Sequence, residues 1–233
     1  MLEAINADRA ERGLPRYRVD RRLERAAAEH SRRMAETSTL AHQLPGEPPL
    51  KTRVAATGLR FDAVGENVGY STRVEDLHGN LMRSRGHRQN LLATKYDSIG
   101  IAIYLSGGRW YVTQDFAHST SEMSASEAED EFAAALATLR RKRRLPSIEI
   151  RGNDELRSAA CAMARRDDVD TERMPNVRGQ RHAVAFTTFE PGELNDVARQ
   201  IAAERDLGRI DVGVCQRASR RYPSGVFWFA LSY

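Results

Sequence analysis

The stretch Gly86-His87-Arg88-Gln89-Asn90 is the longest of six short segments that mark the first half of this chain. It follows a helical pattern around Val74 to Met82, and Gly86 is expected to allow a turn in a loop that presents the His87 imidazole. The other segments, in chain order, are Asn6-Ala7-Asp8-Arg9, His30-Ser31, His42, Gly65-Glu66-Asn67 and Gln114-Asp115-Phe116.

Glu66 is the most informative single residue of these segments. It lies in Val64-Gly65-Glu66-Asn67-Val68, which is predicted to be a short buried strand or the end of one. An uncompensated carboxylate is costly in such a place, and His42 and His87 are its candidate partners. Two imidazoles beside a carboxylate form either a divalent-cation site or a pH-sensitive hydrogen-bonded cluster, and both alternatives stay open.

The six segments, in this order and at this spacing, resemble the CAP superfamily, which comprises cysteine-rich secretory, antigen 5 and pathogenesis-related proteins. The resemblance is closest to the cysteine-free bacterial branch and spans roughly Leu2 to Phe116. It implies an α+β fold, an α-β-α sandwich whose mostly antiparallel sheet is flanked by helices. It also implies that His42, Glu66 and His87 converge on one cavity, where the histidines match the family's two cavity histidines.

Three amides complete the candidate cavity that the resemblance implies: Asn67, Asn90 and Gln114. Each is also explained by capping or by satisfying buried backbone groups. The family's second glutamate has no match in the segment before His87. His42 and His87 are the candidate metal ligands, and such a reduced site should bind zinc or magnesium more weakly than a closed four-ligand site.

The remaining histidines have plainer expected roles. His30 belongs to the family pattern, but it sits among Ala26, Ala27 and Met34 on a predicted helix and is expected in the core. His78, His118 and His182 match nothing in the family and are expected at the surface.

The framework of the first half returns in the second. The helical spacing of Leu23, Ala26 and Ala27 recurs at Leu156, Ala159 and Ala160, and the predicted hairpin at 99–112 recurs at 210–229. We therefore predict a duplication: residues 1–120 as the domain with the cavity motifs and 127–233 as a degenerate copy. The second copy has no Gly-Glu-Asn segment and no counterpart of residues 86–90, so the chemistry is expected in the first.

Composition limits the class of protein. The 233 residues are 41% hydrophobic and 29% charged, as in ordinary soluble domains, and no apolar run approaches the roughly 18 residues of a membrane span. A net charge of +4, with bases and acids interleaved, argues against nucleic-acid binding. The basic cluster Arg140 to Arg144 is a candidate contact for phosphate or a cell-envelope polymer.

Cysteine content and the amino terminus bear on localisation. Cys161 and Cys215 form either one disulfide or two buried thiols. Met1 leads directly into the first predicted helix with no leader pattern ahead of it, so either the protein is cytosolic or its leader is absent from this sequence. Because the bacterial proteins that the chain resembles are typically exported, we expect a secreted or periplasmic protein whose leader is absent from this sequence.

Three functions follow from these observations. The first is an exported, non-enzymatic binding or scaffold protein whose cavity takes a small molecule, a cell-envelope component or a divalent cation. The second is a metal-assisted hydrolase or protease with Glu66 as general base, although the sequence has no Gly-x-Ser-x-Gly nucleophile elbow. The third is a structural partner-binding protein with a vestigial cavity. The sequence favours the first.

Overall fold

The computed structural model describes residues 1–177, 179 and 182–233, and these divide into two compact units, Met1–Thr120 and Ser121–Tyr233. The first unit contains α1 (Leu2–Ala10), β1 (Arg18–Val19), α2 (Arg21–Thr37), α3 (Leu50–Ala55), β2 (Phe61–Ser71), α4 (Asp76–Arg83), α5 (Arg85–Leu91), β3 (Ser98–Ser106) and β4 (Arg109–Ser119). The second contains α6 (Ala125–Lys142), β5 (Glu149–Gly152), α7 (Asp154–Arg166), β6 (Ala183–Thr188), α8 (Asp196–Ile201), β7 (Arg209–Arg217) and β8 (Val226–Ser232).

Each unit is an α-β-α sandwich around one sheet. The strand order is β1-β3-β4-β2 in the first sheet and β5-β7-β8-β6 in the second, and in each the first-named pair is parallel while the others are antiparallel. Helix α2 packs on one face of the first sheet, and side chains of α1, α4 and α5 pack on the other. In the second unit α7 covers one face, and α6 and α8 cover the other. The matching order fits the predicted duplication.

The two long sheet-covering helices begin and end in the same way. Asp20 accepts a hydrogen bond from the Arg22 amide at the start of α2, and Asn153 accepts from the amides of Glu155 and Leu156 at the start of α7. Left-handed residues end both helices: Ser38, with φ of 50°, and Asp167, with φ of 56°. The two helices therefore have the same kind of cap at each end, an Asp or Asn side chain at the start and a left-handed residue at the end.

One glycine in each unit lets a helix backbone touch the sheet. A Cβ atom on Gly100 of β3 would lie 2.2 Å from the backbone carbon of Leu23 and the nitrogen of Glu24. A Cβ atom on Gly213 of β7 would lie 2.0 Å from the backbone nitrogen of Arg157. Only glycine fits at these positions, because the clashing atoms belong to rigid helix backbone.

A buried arginine also recurs in both units. Arg9 donates from Nε to the Pro15 carbonyl at 2.7 Å. Its Nη1 donates to the carbonyl of Leu91, the last residue of α5, and to that of Ala93, two residues later. Its side chain is buried, and its guanidinium lies 3.6 Å from the centroid of the Tyr17 ring. The guanidinium thereby ties α1 to the segment that leads out of α5.

Arg140 repeats this arrangement in the second unit. It donates from Nε to the Pro146 carbonyl at 2.6 Å and from Nη1 to the carbonyls of Ala202 and Glu204. The sequence predicts that Arg140 is part of the basic cluster that contacts phosphate or a cell-envelope polymer. This expectation is wrong for Arg140, because the residue is 1% exposed and its Nε and Nη1 donate to carbonyls of the fold.

The segment around His87 is helical, so the expected loop and turn are wrong. Arg85 to Leu91 form α5, and Gly86 lies inside this helix without a positive φ. Five of the seven residues of the segment are Arg, Leu, Gln or Asn with no proline among them, and Ser84 before it has the extended backbone of a residue that precedes a helix.

The two cysteines form the disulfide Cys161–Cys215, with Cα atoms 5.1 Å apart, which decides between the two alternatives for the thiols. It links α7 to β7. Among the described residues, no helix is both long and apolar enough to cross a membrane.

Replacing Gly100 with alanine should lower the unfolding free energy by about 3 kcal/mol, because the new methyl group meets the α2 backbone. Chemical denaturation followed by circular dichroism measures this change. Gly86→Ala is the matched control: nothing lies within 4 Å of its Cβ position, and alanine should stabilise α5 by up to about 1 kcal/mol. Equal effects of the two substitutions would contradict the close-contact assignment.

Candidate functional site

Glu66 lies on β2, the edge strand of the first sheet, with its carboxylate almost completely buried. His42 Nδ1 lies 2.8 Å from one carboxylate oxygen, and Arg53 Nη2 donates to the other at 2.8 Å. The same Arg53 nitrogen donates to the His42 backbone carbonyl at 3.0 Å. Arg53 therefore fixes both the carboxylate and the loop residue that contacts it.

A second buried pair anchors the loop that carries His42. His30 Nδ1 lies 2.9 Å from Glu47 Oε1, and its Nε2 donates to the Ala41 carbonyl at 2.9 Å. The other Glu47 oxygen accepts from the Leu44 amide at 3.1 Å. His30 is fully buried in α2, as predicted for a core position, yet its polar contacts hold the 38–49 loop beside β2.

Asp115 lies directly opposite Glu66 in the β2–β4 register. Its side chain is fully buried, and among the described residues neither of its carboxylate oxygens has a hydrogen-bond partner. Burial, and then the neighbouring Glu66 charge, raise the pKa of Asp115 well above its usual value. The cluster thus places a buried carboxyl group, whose protonated form is stabilised, beside the Glu66 carboxylate.

The predicted amides lie on the other side of β2, because successive side chains of a strand alternate between faces. Asn67 Nδ2 donates to the His87 carbonyl at 3.1 Å and to Gln114 Oε1 at 3.0 Å. Asn90 Nδ2 donates to the Glu66 carbonyl at 3.1 Å and to Asn67 Oδ1 at 3.0 Å. These contacts pin the α5 backbone to β2 and so present His87 at the sheet edge.

Asn67 and Gln114 are fully buried behind α5, whereas Asn90 is half-buried. The three amides therefore surround the backbone on which His87 is mounted. Their contact with a ligand stays a prediction.

The pKa values of the two histidines at the sheet edge, His42 and His87, are shifted in opposite directions. The hydrogen bond to Glu66 raises the pKa of His42, even though partial burial acts against it. Burial, and then the positive charge of His42, lower the pKa of His87. The site therefore pairs an imidazole whose charged form is stabilised with one whose charged form is destabilised.

The predicted metal ligands supply two nitrogen donors. Because Nδ1 of His42 faces Glu66, its Nε2 is the atom available to a cation, and 62% of the side chain is exposed. Within the part of the chain that the structure describes, no group of three or more His, Cys, Asp or Glu residues is placed to hold a metal ion. Both Glu66 oxygens are engaged by protein partners, so His42 and His87 are the donors that remain.

Two participants were not predicted from the sequence: Glu47 and Arg53. Glu47 and Arg53 are charged residues in and just after the proline-rich loop, with no spacing that signals burial. Asp115 stood out only within the Gln114-Asp115-Phe116 segment.

Two of the other three histidines are paired with carboxylates. His118 lies 2.9 Å from Asp62 and is 43% exposed, whereas His78 lies 2.7 Å from Asp8 and is 21% exposed. His78 is therefore less of a surface residue than expected. His182 is exposed, with its ring against Tyr233.

The second unit carries apolar residues where the first carries this polar cluster. Gly100 pairs with Asp115 in the first sheet and Gly213 pairs with Ala230 in the second, which aligns the two registers. In that alignment the residues equivalent to His30, Ser31, Glu66, Asn67, Gln114 and Asp115 are Met163, Ala164, Ala185, Phe186, Phe229 and Ala230. The same sheet order forms with either set.

Nuclear magnetic resonance titration of the histidine rings tests the electrostatics. We expect His42 to titrate above 6.5 and His87 below it. In Glu66→Gln the His42 pKa should fall, because its partner loses its negative charge, and the His87 pKa should rise as His42 becomes less charged. Identical His42 titration in the two proteins would contradict the assigned pair.

The first unit is similar to proteins of a known family. A model of the CAP family, described as the cysteine-rich secretory protein family, matches residues 2–116. The uncharacterized protein YkwD of Bacillus subtilis is 29% identical over 117 residues, which cover 50% of this chain and 45% of that protein. This chain therefore matches less than half the length of that curated relative.

Two solved structures are similar over about half of the chain. An extracellular protein containing an SCP domain from Bacillus anthracis is 24% identical, with a TM-score of 0.47, and the match covers 50% of this chain and 38% of that one. An outer surface protein from Borrelia burgdorferi is 19% identical, with a TM-score of 0.48 and coverage of 51% and 89%. By its family match and its six ordered segments, the first unit of this chain belongs to the CAP family of cysteine-rich secretory proteins.

Proposed function

We propose that the protein is an exported, non-enzymatic binding protein whose first unit holds a small ligand or a divalent cation between His42 and His87. The observation that carries this proposal is the contrast between the two units. A sheet of the same order forms in the second unit with apolar residues in place of the buried polar cluster. Buried charges lower stability unless they are fully compensated, so a cluster that the fold does not require is best explained by binding.

Each member of the cluster has a role in this proposal. Glu66 holds the His42 ring through Nδ1, Arg53 holds the Glu66 carboxylate and the His42 backbone carbonyl, and the His42 side chain stays 62% exposed, with Nε2 left for a ligand. The amides behind α5 hold the backbone of His87, whose lowered pKa keeps its ring neutral and able to accept a hydrogen bond or bind a cation. A histidine that donates its second ring N–H to a carboxylate is the usual arrangement of a metal-binding histidine.

Zinc suits these donors better than magnesium does, because imidazole nitrogen is a good zinc ligand and magnesium prefers oxygen. Two protein nitrogens leave further coordination positions to water or to the ligand itself. A bound zinc ion would supply a Lewis acid at which an anionic ligand group can be held.

Binding accounts for Glu66 better than catalysis does. A general base needs a free carboxylate that accepts a proton near neutral pH. The Glu66 carboxylate is 2% exposed, both of its oxygens are engaged, and its contacts with His42 and Arg53 outweigh burial and lower its pKa. These features suit a residue that orients His42.

Export is supported by two observations. The disulfide Cys161–Cys215 is of a kind that persists in oxidising compartments. The family whose model matches the first unit is described as one of secretory proteins. We propose accordingly that the protein acts outside the cytoplasm and that its ligand is a small molecule or a component of the cell envelope.

Isothermal titration of zinc and of magnesium into metal-stripped protein at pH 7.5 tests the cation form of the proposal. We expect zinc to bind the unaltered protein and to bind the His42→Ala/His87→Ala variant at least tenfold more weakly. Glu66→Gln should also weaken binding by about tenfold, since it removes the carboxylate that orients His42. His118→Ala, which alters a histidine outside the site, should bind as the unaltered protein does.

Absence of zinc binding to the unaltered protein, or equal binding to the double variant, would contradict the cation form. A screen for hydrolysis on the same proteins separates the enzyme alternative. Turnover that Glu66→Gln abolishes while the fold is retained would favour the hydrolase. A vestigial site predicts that neither histidine substitution changes any binding.

A further inference from the structure

A basic pocket in the second unit lies apart from the polar site of the first. It has a volume of about 580 Å³ and opens between the C-terminal end of α7 and the connection from β7 to β8. The lining residues are Ala164, Arg165, Arg166, Asp167, Arg217, Ala218, Ser219, Arg220 and Arg221. The size is typical of sites for small molecules.

The charge of the lining is strongly unbalanced. Five arginines face one aspartate, which gives the lining a net charge of +4. Arg166 lies 3.9 Å from Asp170, while the other four arginines have no carboxylate within 4 Å among the described residues. Guanidinium groups gathered in one concave surface raise the local potential and attract multivalent anions.

The two walls of the pocket are fastened to each other. The disulfide joins Cys161, one helical turn before Arg165, to Cys215, two residues before Arg217 on β7. At the mouth, Asp167 accepts a hydrogen bond from the Arg221 amide at 2.8 Å. The arginines are therefore mounted on a cross-linked frame, which reduces the entropy lost when a ligand is bound.

The pocket is a specific feature of the second unit. In the first unit, β3 and β4 are joined by the tight turn Gly107-Gly108, whereas β7 and β8 are joined by residues 218–225. The longer connection carries Arg220 and Arg221. Among its described residues, the second unit thus has apolar side chains in place of the polar cluster and a basic pocket beside a connection that is a tight turn in the first unit.

We propose that this pocket binds a phosphate-bearing anion with more than one phosphate group. The planar guanidinium group matches phosphate oxygens through paired N–H donors, and several such groups match several phosphates. The last carbonyls of α7 repel anions, so we place the phosphates on the side of the β7–β8 connection, where Arg217, Arg220 and Arg221 outnumber the one Asp167 carboxylate beside them. The source is either a soluble oligophosphate or a phosphodiester chain.

Isothermal titration with sodium tripolyphosphate tests the proposal on the full chain at about 150 mM salt, close to physiological ionic strength. We expect binding to the unaltered protein and an affinity at least tenfold lower in Arg220→Ala/Arg221→Ala. Arg141→Ala/Arg143→Ala is the matched control, because it removes two exposed arginines of the same unit outside this pocket. Its affinity should stay within twofold of the unaltered protein.

Further ligands identify the source and the limits of the site. A glycerol-phosphate oligomer that competes with tripolyphosphate would indicate a phosphodiester chain, whereas competition by pyrophosphate alone would indicate a compact oligophosphate. Equal weakening in the two arginine variants would show only general charge attraction and would overturn the proposal. Absence of tripolyphosphate binding, or preference for a sulfated oligosaccharide over it, would do the same.

Discussion

Both units depend on a direct contact between a helix backbone and the central strand of a sheet. Gly100 and Gly213 provide that contact, and no other residue type has room there. Because the helix backbone lies so close to the central strand, side chains of the helix can contact residues on neighbouring strands of the same sheet. In the first unit this brings His30 of α2 to within 3.7 Å of the Glu66 carboxylate on the edge strand.

The polar cluster of the first unit forms because its charges compensate one another within a small volume. Arg53 neutralises Glu66 and lies 3.9 Å from Glu47, while His30 and His42 each contact a carboxylate. Removing one partner from such a cluster leaves an unpaired buried charge, which costs about 3–5 kcal/mol. The apolar residues at the equivalent positions of the second unit carry no charge and avoid this cost.

Residues with a strong local signal were predictable from the sequence. Helix α2 has an aspartate cap and apolar side chains at helical spacing, and β3, β4, β7 and β8 have dense β-branched and aromatic residues around glycine turns. Glycine at position 86 was misleading, since its helical neighbours outweigh its freedom. Arg140 was misleading because its place in a run of basic residues says nothing about which of them is buried.

Only part of the candidate site could be predicted from the sequence, because some of its residues are brought in by tertiary contacts. His42, Glu66 and His87 stand in family segments, but their support comes from Arg53 and Glu47, which approach through tertiary contacts. A single sequence records no such approach, because a buried arginine and an exposed one have the same letter. The opposite pKa shifts of the two histidines arise from these contacts and from burial, so they too required the structure.

The disulfide makes the two units unequal toward their redox surroundings. It closes a loop of 54 residues in the second unit, which corresponds to about 4 kcal/mol of lost entropy in the unfolded chain. The first unit has no cysteine and gains nothing from oxidation. A reducing environment therefore removes a stabilising cross-link from the second unit, whereas the first unit contains no disulfide for it to break.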